Sequence, residues 1–75
     1  MVEAEGVLRM LPSGRWAIWR PGHDPVEITS GEIFRLEVDG ELRLATLEHL
    51  PVRGYYVAEG YELREGMRAA IVAEG

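Results

Sequence analysis

Apolar residues alternate with polar ones in this chain, and the alternation is twice broken by a short loop that closes on glycine. No other feature constrains the fold as much. Gly6, Leu8 and Met10 lead through Pro12-Ser13-Gly14 to Trp16 and Ile18. Phe34 and Leu36 lead through Val38-Asp39-Gly40 to Leu42 and Leu44. A period of two is that of a strand with one buried face. Two such runs joined by a glycine-closed loop form a β-hairpin. The chain is therefore expected to be all-β and antiparallel.

Cross-strand chemistry sets the expected registers. With Pro12, Ser13 and Gly14 as the loop, Leu11 faces Arg15, Met10 faces Trp16 and Leu8 faces Ile18, so apolar meets apolar. Proline supplies a φ near −65° and glycine the left-handed residue. The same reasoning favours a three-residue loop, Val38 to Gly40, in the second hairpin. Leu36 then pairs with Leu42 and Phe34 with Leu44, leaving Glu37 opposite Glu41. A two-residue Asp39-Gly40 turn would instead set Leu36 against Arg43, a slip that places apolar against charged side chains.

Between the hairpins, Pro21-Gly22-His23-Asp24-Pro25 forms a turn-rich loop. A short strand is expected at Val26-Glu27-Ile28, and a turn at Thr29-Ser30-Gly31-Glu32 capped by the Ser30 hydroxyl. Glu41 to about His49 forms a long strand, and Tyr55 to Ala58 returns along it. A single helical turn is expected near Glu62–Gly66, followed by a last strand with Met67, Ala69 and Ile71 on one face. Residues 1–75 thus make one domain, a small SH3-like antiparallel barrel of five to six short strands. Closure into a barrel would remove exposed sheet edges.

A chain of 75 residues has a thin stability margin. Cysteine is absent, so neither a disulfide nor thiolate chemistry is available. No stretch approaches the roughly 18 apolar residues of a membrane span. The acidic start, Met1 to Glu5, is unlike a signal peptide, so a cytoplasmic protein is expected. Lysine, asparagine and glutamine are all absent, which suits a heat-adapted source or a GC-rich genome.

The same composition limits the function classes. Thirteen acidic against eight basic residues leave a net charge of −5. That disfavours nucleic acid, which is held largely by cationic neutralisation of phosphates. His23 and His49 have no third ligand at metal-site spacing, so no metal or cofactor is expected. The serines, 13 and 30, lie in turns with no base in view, and the carboxylates are spread along strands. A non-enzymatic protein is expected.

The aromatic residues suggest a contact surface. Trp19 lies across from Val7, on the face opposite Leu8, Trp16 and Ile18, and one of Tyr55 and Tyr56 must point outward. Tryptophan and tyrosine are favoured binding anchors. Trp19, Tyr55 and Tyr56, with Arg20 at the rim, are the candidate binding residues. The alternative for Trp19 is coverage by the C-terminal strand around Ile71. The expected partner is a protein, with a second copy of this chain as the first candidate and a homodimer as the result.

The chain resembles a family of very small bacterial proteins catalogued only as a domain of unknown function. The residues that carry the resemblance are Gly6-x-Leu8, Gly14-Arg15-Trp16-x-Ile18 and Thr29-Ser30-Gly31-Glu32. Further along they are Leu36-x-Val38-Asp39-Gly40-x-Leu42, Thr46-Leu47-Glu48, Gly54-Tyr55-Tyr56, Leu63-x-x-Gly66 and Ile71. The resemblance implies a compact SH3-like β-domain and brings no active site with it. Such families often occur in mobile elements, which supplies a rival reading: a nucleic-acid-binding accessory protein. That rival needs Arg15, Arg20, Arg53 and Arg43 on one face with the exposed aromatics.

Overall fold

The computed structural model describes residues 2–72, with side chains described for 4–71. Seven strands run in chain order: β1 (Val2–Met10), β2 (Trp16–Trp19), β3 (Val26–Glu27), β4 (Ile33–Val38), β5 (Glu41–Leu50), β6 (Gly54–Val57) and β7 (Arg68–Val72). They form one antiparallel sheet in the order β3-β2-β1-β7-β4-β5-β6, curled into a half-barrel. The strand expected at Val26-Glu27-Ile28 forms as the two-residue β3, and with it the sheet has seven strands rather than five to six. β3 pairs with β2 through Ala17–Glu27 and Ile18–Val26.

The first hairpin has the expected register. Met10 pairs with Trp16, Leu8 with Ile18 and Val7 with Trp19. The Leu11 amide donates to the Arg15 carbonyl at 2.7 Å, and Gly14 closes the loop at a φ of 90°.

The second hairpin departs from expectation. Val38 pairs with Glu41, Leu36 with Arg43 and Phe34 with Ala45. The turn is the two-residue Asp39-Gly40, with φ of 54° and 81°. Positive φ at both positions is the type I′ pattern, whose twist matches that of the flanking strands. The decisive constraint lies further along β5. Its side chains alternate strictly, so turning Leu42 and Leu44 inward would also turn Thr46 and Glu48 inward. Burying an unpaired carboxylate costs more than exposing a leucine. Ala45 and Leu47 face the core instead, and Leu44 is left 55% exposed.

The core is the concave face of the half-barrel. Leu8, Trp16, Ile18, Ile28, Phe34, Leu36, Leu47 and Val57 are buried there, with Ala4, Ala45, Ala69 and Ile71 filling the narrower places. Met10, expected among them, is 48% exposed because it lies at the hairpin end, beyond the cover of the other strands. On the convex face only small residues are buried. Ala17 sits between its cross-strand neighbours Arg9 and Glu27, and Ala70 between Glu5 and Arg35. The stems of such long charged side chains cover apolar surface while their heads stay in water.

Two further expectations are corrected. No helical turn forms at 62–66, and no helix occurs among the described residues. That segment instead docks on β1: the Gly66 amide donates to the Leu8 carbonyl at 2.8 Å and the Leu8 amide to the Met67 carbonyl at 2.7 Å. The turn before β4 is capped by Glu32 rather than by Ser30. The Glu32 carboxylate accepts from the Thr29 amide at 3.0 Å and from its hydroxyl at 3.2 Å. A carboxylate three residues on reaches back to an amide, which the exposed Ser30 hydroxyl does not do here.

Candidate functional site

The curl of the sheet brings the tip of the first hairpin towards β6, and a cleft of about 810 Å³ lies between them. Met10 and Ser13 to Trp16 form one wall. Gly54 to Val57 form the other, Gly60 to Leu63 line the remaining side, and His49 and Arg53 stand at the β5–β6 end. Trp16, Tyr55, Tyr56 and Tyr61 make the lining strongly aromatic. His49 and Tyr55 are cross-strand neighbours whose rings lie 4.6 Å apart, tilted by 55°. The Arg53 guanidinium lies 4.3 Å from the Tyr56 ring centroid, within cation–π range.

The charges in the cleft are unequally matched. Arg15 lies 3.9 Å from Glu27, and Glu62 lies 3.9 Å from Arg64. Among the described residues Arg53 has no carboxylate within 4 Å. Among the described residues it is the one lining arginine without an ion-pair partner.

The backbone of β6 matters as much as its side chains. This strand is an edge of the sheet, bonded only to β5. The Ala58 amide donates to the Thr46 carbonyl at 3.0 Å. In an antiparallel ladder hydrogen-bonded pairs alternate with non-bonded ones. The pairs Glu48–Tyr56 and Leu50–Gly54 are therefore bonded, while Tyr55 and Val57 turn their backbone groups away from β5. The Val57 carbonyl is taken by the Gly60 amide at 2.8 Å. The Tyr55 amide, the Tyr55 carbonyl and the Val57 amide have no backbone partner among the described residues. Tyr55, Tyr56 and Val57 all line the cleft. Residues of both parities can do so only if the cleft meets the strand edge-on.

Glu59 locks the far end of this strand. Its carboxylate accepts from the Thr46 amide at 2.7 Å and from the Thr46 hydroxyl at 3.0 Å. The backbone hydrogen bond from Thr46 is the main cause that holds the Glu59 carboxyl below its ordinary value of 4.5.

The four candidate binding residues do not form one site. Tyr55 and Tyr56 stand in the cleft. Trp19 and Arg20 line a separate, shallower depression of about 280 Å³ with Val7, Arg9 and Pro21. There the Arg9 guanidinium lies 5.9 Å from the Trp19 ring centroid, and Trp19 remains 38% exposed. Ile71 does not cover it. β7 lies beside β1 in the sheet, with Ile71 paired to Ala4 and turned to the core, on the opposite face. Of the arginines, Arg15 and Arg53 share the cleft with the aromatics, Arg20 lies in the other depression, and Arg43 pairs with Glu41 at 3.2 Å.

Trp16, Tyr61 and Arg15 were not among the expected binding residues. Trp16 reads as core from its alternation, and it is buried, yet it also floors the cleft. Tyr61 lies in a segment without a strand pattern. His23 and His49 are far apart in role, one in the loop after β2 and the other beside Tyr55. No group of three metal-binding side chains occurs among the described residues, and no helix there is long and apolar enough to cross a membrane.

Comparison of the chain with protein-family models, curated proteins and solved structures found no match in any of the three.

Proposed function

We propose that this protein is a non-enzymatic interaction module, an SH3-like small barrel that holds a protein partner in the cleft between the first hairpin and β6. One observation carries the reading: an aromatic cleft runs along a sheet edge where, among the described residues, the Tyr55 amide and carbonyl and the Val57 amide have no backbone partner. Aromatic side chains supply apolar contact area at low entropic cost and are enriched in binding hot spots. An exposed edge strand is a template for another chain unless it is blocked. Here no lysine, proline or bulge blocks β6. The proposal includes membership of the small bacterial β-domain family that the turn and core residues resemble.

A nucleic-acid accessory role is the second reading, favoured by Arg15 and Arg53 lining the cleft with Trp16, Tyr55, Tyr56 and Tyr61. Against it stand the net charge of −5, the ion pairs that occupy Arg15 and Arg43, and the separate location of Arg20.

A photo-crosslinking residue at position 53 tests the proposal, with position 20 as the comparison, both in the native host. Protein adducts from position 53 that are absent from position 20 are the expected result. Adducts to nucleic acid from position 53, or equal protein adducts from both positions, would overturn it.

A further inference from the structure

We infer that the occupant of the cleft is an extended acidic peptide segment of another protein, which adds to the free edge of β6 as an eighth strand. The inference rests on the cleft being the binding site and specifies how it is filled. Three backbone groups set the geometry. The Tyr55 amide and carbonyl together form one complete hydrogen-bonded pairing position, and the Val57 amide offers a second donor two residues on. That spacing is the repeat of a β-ladder, so an incoming strand gains three main-chain hydrogen bonds without displacing any. Main-chain bonds of this kind give affinity irrespective of sequence, and side-chain pockets then select it.

Charge completes the specification. The protein as a whole is acidic and repels an acidic ligand at long range, yet the cleft presents Arg53 without a carboxylate partner. The Tyr56 ring beside it fixes the guanidinium at the β5–β6 end of the edge. A carboxylate on the added strand near that end would supply the missing counter-charge. The aromatic wall of Trp16 and Tyr61 would receive an apolar side chain from the same strand. A single-stranded nucleic acid would use the aromatics and Arg53, and its phosphates accept from backbone amides, but it has no main-chain repeat that answers the Tyr55 amide and carbonyl together.

Panning a random linear dodecapeptide library against the intact protein, and in parallel against Arg53→Glu, tests the inference. Acidic peptides enriched on the wild type, with basic ones enriched on the variant, are expected. In amide hydrogen exchange a selected peptide at saturation should slow Tyr55 and Val57 at least tenfold, and N-methylation of the peptide bonds that face β6 should abolish binding. If selected peptides shift the Trp16 and Tyr61 resonances while Tyr55 and Val57 exchange as in the free protein, strand addition is overturned and the cleft remains the binding site. If no selected peptide shifts the cleft resonances, or if single-stranded oligothymidylate does so instead, both readings fall.

Discussion

Gly6 lies against the Trp19 carbonyl so closely that no side chain fits. A Cβ placed on Gly6 would stand 2.9 Å from the Trp19 carbonyl carbon and would overlap its oxygen. Here the two ladders of β1 meet: it pairs with β7 through Val7–Arg68 and with β2 from Val7–Trp19 onward. A glycine inside a strand often marks such a close backbone approach. Gly6→Ala should therefore destabilise by at least the roughly 1–3 kcal/mol of an overpacked core position, because backbone, not a movable side chain, is in the way. Gly14→Ala, with open space around its Cβ, should cost only the roughly 1–2 kcal/mol of a left-handed residue. Urea unfolding of both variants checks the order; a milder effect at Gly6 would contradict it.

The turn at Asp39-Gly40 makes a second prediction. A bulged three-residue loop and a type I′ turn both need positive φ at glycine, so Gly40→Ala alone does not separate them. Asp39 does, because only the I′ turn holds it at a φ of 54°. Asp39→Asn should leave the urea midpoint nearly unchanged, since asparagine tolerates this region. Asp39→Ala should lower stability by about 1–2 kcal/mol. Equal stability of the two variants would return the register to the three-residue form.

Acid should loosen the β5–β6 end of the sheet first. Hydrogen bonds from Thr46 hold the Glu59 carboxyl below its ordinary 4.5 in the folded protein. A depressed carboxylate stabilises the fold fully above its unfolded value, and the contribution is lost as pH falls through the folded value. The Thr46 amide should thus gain exchange protection as pH rises through the window below about 4.5. Glu59→Gln should remove that local pH response while leaving the first hairpin unaffected. A variant with the wild-type response would assign it to another group.

Trp19 gives the fourth prediction. It lies on the convex face, partly covered by Arg9 and not by β7. Trp19→Glu should therefore fold, with a stability loss of roughly 0.5–3 kcal/mol for a half-covered side chain. If the Val7–Trp19 depression pairs with its twin in a second copy, the wild type should be a dimer in sedimentation equilibrium and the variant a monomer. A wild type that stays monomeric at millimolar concentration would rule out this face as a self-association surface. Unfolding of the variant would show that Trp19 is internally buried.

Much of the fold was legible because its determinants are local. The Pro12-Ser13-Gly14 loop and the flanking apolar pairs satisfy one register only, and Met10–Trp16 and Leu8–Ile18 pair as their spacing dictates. In the second hairpin the alternation as far as Leu44 favours the three-residue loop, and the buried face of β5 is decided beyond it. Extended four residues to Glu48, the same alternation rule selects the register that forms. Of the four residues singled out for binding, Tyr55 and Tyr56 stand in the cleft, while Trp19 and Arg20 stand elsewhere.

From its amino acids alone, this chain was bound to be antiparallel, all-β and organised around two glycine-closed hairpins, because period-two alternation and turn stereochemistry act within a dozen residues. Tertiary structure decided the rest. It inserted β7 between β1 and β4, made Gly6 a steric rather than a conformational glycine, and carried residues 10–16 to within a cleft's width of residues 53–63. Those contacts join positions some forty residues apart. They depend on how far the sheet curls when all its strands bury one shared core, and no local pattern encodes that angle.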